Sequence, residues 1–556
     1  GHMLLGIDVG GTFTDAVIIN GSTIISSAKR RTTKDNLMNG ITDALGAVMS
    51  GVDSAQIEQV TLSTTVVTNT IVEHKEQPVD LYVVAGPGRN VDDIFPVRPV
   101  YLKGYTDHRG IVVERTDVGG TRQLANMVQS KSGTDLAAVS AKFGVRNPKE
   151  EIDVAQALAD TYSTISTGSA LSGNLNFPRR TISAYFNSAV AAVFKEFKTA
   201  VYHALETFHI TAPVYILKAD GGSLPIDTVE SIPVETVFTG PAATVLGLEA
   251  LRSTKEAHTV ALDIGGTTTD ISLWKQGKPL MTKEGVSIRE YPSAVRSFAV
   301  TSVGIGGESA VRYEDGELMV GPERLGPSVA LGGTIPTLGD ALIVLGNAHY
   351  GDEQKAYDAI TQIDTTIDAK IMAQRIVDTA VRVVQQGIDT VVAKENKRPI
   401  YVVSDIVHPD PFVPAQLVIV GGTAASLGPI IGDTLGLPVH IPPDAAVANA
   451  IGAGVANHTM AITVHVDTKR RTMVVPELGI QDKGSSLRSA QAVEEVAYGL
   501  LREAAQEQGL VPQGVMPAIE TISVEDFPVV DGWQSMERII TVKVQLKAGV
   551  SNYVES

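Results

Sequence analysis

The sequence contains no cysteine, and this absence excludes several kinds of chemistry at once. Disulfides, thiolate nucleophiles, cysteine-bound zinc and iron–sulfur clusters all require that residue. Basic residues are also scarce, because 45 lysines and arginines stand against 62 aspartates and glutamates, which gives a net charge of −17. A negative field of this size repels phosphate backbones and anionic lipid surfaces. We therefore expect neither nucleic acid nor a membrane as a partner.

Long apolar runs are absent too. The longest stretches without a charged residue, 411–432 and 445–466, are interrupted by glycines and by polar residues. They predict buried strands, turns and helices rather than membrane spans. The residues after Met3 have a strand pattern and lack the basic start and apolar core of a signal peptide. Because the absence of cysteine is compatible with a reducing compartment, we expect a cytoplasmic protein.

The overall composition is that of a folded globular protein, with 44% apolar and 19% charged residues. At about 150 residues per domain, a chain of this length predicts three or four folded units. The last of them is indicated by a change of pattern after residue 461. A strand near 472–475, a helix with an apolar face at 493–501 and an alternating strand at 540–546 predict an appended α/β unit.

The sequence also contains an internal repeat. Residues 8–15, DVGGTFTD, return at 263–270 as DIGGTTTD, with six of the eight positions identical. The second copy begins 255 positions after the first, which is far beyond the period of solenoid or propeller repeats and predicts two similar lobes. Apolar residues lead into each copy and a strand pattern follows it. Each lobe is therefore predicted to open with a β-hairpin closed by a glycine turn.

The repeated turn has the composition of a polyphosphate-binding site. Glycines let backbone N–H groups approach a phosphate closely, and threonine hydroxyls add donors without adding charge. The predicted phosphate-binding residues are Gly10, Gly11, Thr12 and Thr14 in the first copy and Gly265, Gly266, Thr267, Thr268 and Thr269 in the second. Asp8 and Asp263 precede the turns and are the predicted Mg²⁺ ligands and catalytic residues. One copy alone could be an ordinary hairpin, but two favour a clamp around one triphosphate.

A third motif follows the second copy. Gly421, Gly422 and Thr423 end the apolar strand predicted at 417–420 and precede a pattern typical of a helix. A glycine pair at this point lets a flat ring lie against the backbone, because no Cβ stands in the way. Its position after two phosphate-binding hairpins predicts a loop that binds adenosine, which we name the adenosine loop. The predicted cofactors are therefore ATP and Mg²⁺.

The order of these three motifs resembles that of the superfamily of actin, heat-shock chaperone and sugar-kinase ATPases. From about Leu4 to about Asn457 the sequence is closer still to the hydantoinase A and 5-oxoprolinase family. The segments that carry this resemblance are 63–69, 219–222, 239–243, 303–309 and 336–341. It implies an α/β fold with two actin-like (ribonuclease H-like) ATPase lobes and a small C-terminal α/β unit. The implied domains are 3–250, including the family's N-terminal region, 256–462 and 463–556.

The resemblance also implies a function. Members of this family are ATP-dependent amidohydrolase subunits that activate a cyclic amide, such as a hydantoin, 5-oxoproline or a lactam, by phosphorylation of the amide oxygen. They share the ring opening with a separate B-type subunit, which is the implied partner together with the small cyclic amide. Three alternatives stay open, because one scaffold serves many functions: a chaperone-like activator ATPase, a carboxylase subunit and a small-molecule kinase. The sequence is also compatible with a homo-oligomer.

No single motif identifies the residue that activates water. Asp15 and Asp270 occupy equivalent positions of the repeat, where at least one is expected to brace its hairpin. Asp220 is not duplicated and falls in a polar turn, so it is the predicted catalytic residue on the substrate side. Polar loops around His108 and His408 are further candidates for an acid, a base or a metal ligand, although solvated loops have the same composition.

Overall fold

The structure is a computed structural model, and it describes residues 2–33, 35–88, 92–254, 258–282, 284–397, 410–511, 518–529 and 536–555. Within these ranges the chain has a mixed α/β fold with two large sheets, a smaller side sheet and a C-terminal sheet. None of the helices described there is long and apolar enough to cross a lipid bilayer.

The first sheet is built on the first predicted hairpin, whose arms pair antiparallel with Asp8 opposite Asp15. The first arm is central and also runs parallel to the strand Ile57–Thr64, the fourth in chain order. In spatial order the six strands are Ser223–Pro225, Val214–Leu217, Ile57–Thr64, Met3–Val9, Phe13–Asn20 and Thr23–Arg31. Five consecutive residues of the first arm are buried, as expected for a strand with helices on both faces of its sheet.

The second sheet repeats this arrangement around the second hairpin, with Asp263 opposite Asp270. In spatial order its strands are Lys278–Pro279, Thr269–Lys275, His258–Ile264, Gln416–Val420 and Val439–His440, and Val300–Val303 also pairs with the second arm. The first arm is again flanked by a parallel strand on the side away from the hairpin. The sequence repeat is therefore also a structural repeat, with both aspartate pairs in the same register.

The side sheet was not separated from the first lobe by the sequence analysis. It consists of the parallel strands Asp80–Val84, Val100–Tyr101, Leu136–Ala141 and Thr164–Thr167. Part of its apolar surface packs around Tyr82 and Val139 into a small hydrophobic cluster of its own. The helices beside it, Val118–Ser132 and Lys149–Leu158, contribute Ala125 and Val154 to that cluster.

The C-terminal sheet confirms the strands and the helix predicted after residue 461. It is antiparallel and consists of Ala461–Asp467, Thr472–Val475, Ile480–Asp482, Ile519–Pro528 and Arg538–Leu546, with helix Ala490–Glu507 packed against it. Its buried face does not form a separate core. Val464 and Val542 belong to the same continuous hydrophobic cluster as Leu5 and Val60 of the first sheet. The predicted boundary at residue 463 is thus crossed by apolar packing.

Helices cover the faces of the two large sheets. The amphipathic helix predicted between the two repeats is Ala191–Thr207, and it buries Phe194, Phe197 and Val201. The helix predicted at 371–384 is longer and spans Ala369–Asn396, because its buried stripe continues to Ile388. The other α-helices are Leu37–Val48, Val66–Val72, Gly168–Leu171, Phe177–Ala189, Ile226–Val229, Thr239–Ala250, Leu338–Val344, Glu353–Ile363, Ala424–Leu435 and Ala448–Val455.

Short elements complete the chain. The small antiparallel pairs are Tyr105–Thr106 with Val112–Glu114, Ser287–Ile288 with Tyr291–Pro292, and Val311–Glu314 with Glu317–Val320. The 3₁₀ helices are Ser54–Gln56, Asp92–Ile94, Pro233–Thr236, Val329–Leu331, Ala445–Val447 and Pro476–Leu478. Three of these 3₁₀ helices, Pro233–Thr236, Ala445–Val447 and Pro476–Leu478, border the cavities described below.

Two helices rich in small residues cross beside the first sheet. They are Thr239–Ala250, which leads from the first sheet to the second, and Ala448–Val455, which follows the second sheet. A Cβ atom at Gly247 would lie 1.9 Å from the carbonyl oxygen of Ala448, and one at Gly452 would lie 1.7 Å from that of Ala243. The two backbones are therefore in direct contact, which only glycine allows at these positions.

Candidate functional site

A cavity of about 380 Å³ lies where the turns of the two hairpins face each other, and we name it the hairpin cavity. The hydroxyl oxygens of Thr12 and Thr267, one from each turn, are 3.5 Å apart. The predicted residues that line the cavity are Asp8, Gly10, Gly11, Thr12, Asp263, Gly265, Gly266, Thr267, Thr268, Gly421 and Gly422. The structure thus brings the two hairpins and the adenosine loop together in one place.

The two turns have the same backbone geometry. The N–H of Gly10 donates to the carbonyl of Phe13, and the N–H of Gly265 donates to that of Thr268, both at 3.0 Å. Within the described residues, the N–H groups at the tips of the turns, those of Gly11, Thr12, Gly266 and Thr267, donate to no protein acceptor. Backbone donors left free in a concave turn are the groups that bind an anion.

Thr14 and Thr269 do not reach the cavity, although they were predicted to bind phosphate. Both are fully buried. The Thr14 hydroxyl lies 2.8 Å from that of Thr32, and the Thr269 hydroxyl donates to the carbonyl of Ile305 at 2.7 Å. The reason is the alternation of side chains along a strand. Since Asp15 and Asp270 face the cavity, the threonine before each of them faces the core.

Asp8 is held in the hairpin cavity by two side chains that the sequence analysis did not identify. Ser63 donates to its Oδ1 and Asn449 donates to its Oδ2, both at 2.6 Å. Burial raises the pKa of Asp8 to about 7, and the neighbouring charges of Asp15 and Asp263 act in the same direction. A carboxylate in this position gains from a cation beside it.

Asp263 occupies the equivalent position in the second hairpin. Its Oδ2 accepts a hydrogen bond of 2.7 Å from the hydroxyl of Thr244, and burial raises its pKa. Asp270 lies opposite and accepts a hydrogen bond from Ser302. Burial, followed by the charge of Asp263, raises the pKa of Asp270 to about 7. The cavity therefore holds two aspartates from each hairpin.

Lys29 provides a cation beside this group of acids. Its Nζ lies 2.7 Å from Oδ1 of Asp15, and Asn449 donates to the other oxygen of Asp15 at 2.7 Å. Asn449 therefore binds both aspartates of the first hairpin. Asp15 is thus braced, as predicted for at least one member of its pair. Arg324 also lines the cavity. No local motif marks Lys29, Asn449 or Arg324 in the sequence.

The residues present fit Mg²⁺. Within the described part of the chain, no group of three or more histidines and carboxylates has the geometry of a complete protein metal site. Mg²⁺ does not need one, because it is usually held by one or two carboxylates and keeps water and phosphate oxygens as its other ligands. Asp8 and Asp263 are two buried carboxylates beside free anion-binding N–H groups, and this is the set of donors that such a cation requires.

The two glycines of the adenosine loop have different roles. Gly421 has a φ of +99°, and a Cβ there would lie 2.4 Å from the carbonyl oxygen of Ile264. This glycine is required by the fold. Gly422 is open, because the nearest atom to an added Cβ is Cε of Lys29 at 4.0 Å. Thr423 does not line the cavity and donates instead through its N–H to Ile264 and through its hydroxyl to Gly265, at 3.1 and 3.3 Å.

Asp220 lies outside the hairpin cavity. Its carboxylate pairs with Lys218 at 3.2 Å and accepts from the N–H of Gly222 at 2.9 Å, and it lines a separate cavity. Of the two histidine loops, the one at His108 is anchored to the C-terminal sheet, because the neighbouring Arg109 forms an ion pair of 2.9 Å with Asp467. His408 lies outside the described residues.

Family models match most of the chain. The model of the hydantoinase/oxoprolinase family matches residues 180–462, and the model of its N-terminal region matches residues 4–162. Caprolactamase subunit alpha of Pseudomonas jessenii is 26% identical over 62% of this chain and 54% of its own length. Acetophenone carboxylase gamma subunit of Aromatoleum aromaticum is 25% identical over 86% of this chain and 70% of its own. 5-Oxoprolinase 1 of Arabidopsis thaliana is 24% identical over 50% of this chain and 25% of its own length.

Two solved structures share the fold over nearly the whole chain. Nucleotide-free acetone carboxylase superposes with a TM-score of 0.70 and 16% identity, covering 99% of this chain and 88% of that one. ATP-dependent caprolactamase of Pseudomonas jessenii has a TM-score of 0.68 and 20% identity, covering 97% and 87%. The chain spans about half the length of caprolactamase subunit alpha in the sequence match. Together with the family models, these findings establish that the chain belongs to the hydantoinase/oxoprolinase family.

Proposed function

We propose that the chain is a cytoplasmic ATP-dependent amidohydrolase subunit in which two actin-like lobes close on Mg-ATP and activate a cyclic amide for ring opening. One observation carries the proposal. The free N–H groups of both hairpin turns and the aspartate before each turn face a single cavity, with the open face of Gly422 beside them. The names of the relatives, caprolactamase and 5-oxoprolinase, indicate the class of substrate.

In this proposal the residues of the hairpin cavity have different roles. The N–H groups of Gly11, Thr12, Gly266 and Thr267 bind and orient the phosphates, and Asp8 and Asp263 would hold Mg²⁺ or its water ligands. Bound ATP would supply a phosphoryl group for the amide oxygen, which turns a poor electrophile into one with a good leaving group. The protein then has to position the reactants and neutralise charge rather than provide a nucleophile.

The ring opening itself is assigned to a partner. Among the described residues of the hairpin cavity, the four aspartates are bound by Ser63, Asn449, Lys29, Thr244 or Ser302, and the fifth acid, Glu73, pairs with Lys75 at 3.1 Å. None of the five is placed as an evident base for water. Relatives carry the names subunit alpha, gamma subunit and beta subunit. We therefore propose a separate B-type subunit, with the present chain as the part that uses ATP.

A carboxylase subunit is the second candidate. The acetophenone carboxylase gamma subunit matches over 86% of this chain, which is more than the caprolactamase match covers. The same use of ATP would then activate a ketone instead of an amide. The two candidates share the nucleotide site and differ in the substrate that stimulates it.

The test is phosphate release from ATP by the purified chain, with and without the protein encoded beside it. The substrates are a panel of lactams, hydantoins and 5-oxoproline, and a parallel panel of ketones with a carbon dioxide source. Asp8→Asn and Asp263→Asn should abolish the Mg²⁺-dependent release, whereas Asp433→Asn, at an exposed helix position, should not change it. Stimulation by ketones alone would favour the carboxylase, and unchanged turnover in both site variants would refute the metal assignment.

A further inference from the structure

A second cavity, of about 490 Å³, lies between the first sheet, the side sheet and the C-terminal sheet. We name it the polar cavity, because six ionisable side chains line it: Lys218, Asp220, Glu235, Arg296, Glu477 and Lys543. They come from distant parts of the sequence, so only the folded chain brings them together. No residue of the hairpin turns lines this cavity.

Four of the six side chains have partners within the protein. Lys218 pairs with Asp220 at 3.2 Å, Arg296 donates to Gln545 at 3.2 Å, and Glu477 accepts from the N–H and the hydroxyl of Thr463 at 3.0 and 2.8 Å. These bonds fix the walls of the cavity. Two ionisable side chains of opposite charge remain in the lining of the cavity.

Glu235 and Lys543 are those two. Within the described residues, neither the carboxyl group of Glu235 nor the ammonium group of Lys543 has a hydrogen bond or an ion pair. Burial raises the pKa of Glu235 to about 7 and lowers the pKa of Lys543. The charge of each side chain opposes the pKa shift of the other. Both side chains are partly exposed and line the wall of the cavity. A ligand that supplied one acceptor and one donor would hydrogen-bond to both of them.

A cyclic amide supplies them on one edge. A small ring forces the amide bond into the cis form, so the carbonyl oxygen and the N–H lie side by side. An open-chain secondary amide is trans, and its two groups point in opposite directions. Lys543 can only donate and an ionised Glu235 can only accept. The two side chains therefore supply the one donor and the one acceptor that the cis edge requires, whereas a trans amide cannot present both of its groups on one edge.

We propose that the polar cavity binds a small cyclic amide, with Lys543 donating to its carbonyl oxygen and Glu235 accepting from its N–H. The substrate class rests on the proposed function. A volume of about 490 Å³ lies within the range of about 300–1,000 Å³ found for small-molecule pockets. Asp220, predicted on the substrate side, lines the same cavity. No residue of the hairpin turns takes part in this binding, so it can be measured without nucleotide.

The experiment is calorimetric titration of the full chain with 2-piperidone. We expect Glu235→Gln and Lys543→Met each to weaken binding about tenfold or more, because each loses a hydrogen bond to a charged group. Lys278→Met, at an exposed position, is the matched control and should bind normally. N-methyl-2-piperidone lacks the N–H and N-methylacetamide is trans, so both should bind the wild-type chain more weakly than 2-piperidone. Glu235→Asp and Lys543→Arg serve if a first variant does not fold.

Each outcome decides the proposal. Failure of 2-piperidone to bind the wild-type chain, or equal affinity in the wild type and the cavity variants, would overturn it. ATP binding in the same variants separates this proposal from the proposed function. If the lactam affinity falls while ATP affinity is unchanged, the cavity assignment stands, whether or not phosphate is released. If ATP hydrolysis responds to lactams but the cavity variants bind normally, the cavity assignment fails and the proposed function stands.

Discussion

Arg31 of the first sheet donates a hydrogen bond of 2.6 Å to Glu308, which lies 277 residues later in the loop after the second hairpin. Glu308 is buried and also accepts from Arg324, which lines the hairpin cavity. The N–H of Glu308 donates to the carbonyl of Gly266 at 2.7 Å. One residue thus ties the edge strand of the first sheet, through its carboxylate, to the turn of the second hairpin, through its backbone.

The first prediction concerns this link between the halves. Glu308→Gln should increase the rate at which a fluorescent ATP analogue dissociates by about tenfold, because the charge-assisted bond from Arg31, which joins the two halves, and the one from Arg324, which lines the cavity, are both weakened. The free energy of unfolding should fall by less than about 1 kcal/mol, since Arg31 is substantially exposed. Stopped-flow measurements check the rate. Glu323→Gln, which breaks a surface pair with Arg312, is the control, and equal rates in both variants would contradict the link.

The second prediction separates the two glycines of the adenosine loop. Gly422→Val should weaken ATP binding and leave the melting temperature of the free chain unchanged, because its side chain enters open space in the cavity. Gly421→Ala should lower that melting temperature, because φ is +99° and the added Cβ meets the Ile264 carbonyl. Thermal melts with and without ATP check both. A lower melting temperature of Gly422→Val without nucleotide would show that this glycine is structural.

The third prediction concerns Asn449, which donates to Asp8 and Asp15. The hydrogen bond from Asn449 opposes the raised pKa of Asp8, which is about 7 in the free chain. Asn449→Ala removes it and should raise this pKa further. Because a metal requires the ionised carboxylate, Mg²⁺-dependent ATP turnover should then begin at a higher pH. A pH profile with an unshifted acid limb would argue against this role, and Asn396→Ala, away from the cavity, is the control.

The fourth prediction uses a buried histidine of the C-terminal sheet. The Nε2–H of His465 donates to the carbonyl of Gly173 at 3.2 Å, its Nδ1 accepts from the hydroxyl of Thr541 at 3.1 Å, and burial lowers its pKa to about 3. Its ring is neutral in the folded chain, whereas the unfolded chain takes up a proton below about pH 6.5. The contribution of His465 to the free energy of unfolding is therefore fully present above pH 6.5 and is lost as the pH falls towards 3.

Between pH 6.5 and 5 the loss should be about 2 kcal/mol for this residue. His465→Gln should remove that part of the pH dependence, as measured by urea unfolding at several pH values. His440→Gln, at an exposed position, should keep the wild-type dependence. The comparison between variant and wild type isolates one histidine, because acids with a raised pKa, such as Glu235 and Asp270, titrate in both proteins. Parallel curves for wild type and His465→Gln would disprove the assignment.

The hairpins could be predicted because their pattern is local and occurs twice. Glycine turns, flanking apolar residues and an aspartate before each turn all lie within fifteen positions, 4–18 in the first copy. The same pattern misplaced Thr14 and Thr269, since strand alternation directs them to the core. Lys29 and Asn449 could not be predicted, because a single lysine or asparagine has no local signature. Asn449 reaches Asp8 from 441 positions away, and only the packing of its helix determines that contact.

The side sheet and the shared core of the C-terminal sheet were missed for a related reason. Strands as short as Val100–Tyr101 carry too few residues to show a period. The residues around Val464 and Val542 do not indicate which element of the fold will cover these two side chains. Periodicity identifies a face that must be buried, whereas the identity of the partner follows from the arrangement of the whole chain.

The helix crossing at Gly247 and Gly452 has a consequence for mutational data. Backbone meets backbone there, so no change in a neighbouring side chain can make room for a substituent, and compensating double mutants should not exist. A saturation scan would find both positions as intolerant as Asp8 or Asp263. Substitutions at the crossing would prevent folding, whereas substitutions at the aspartates would prevent turnover in a folded chain. Only assays that measure folding and turnover separately would distinguish the two.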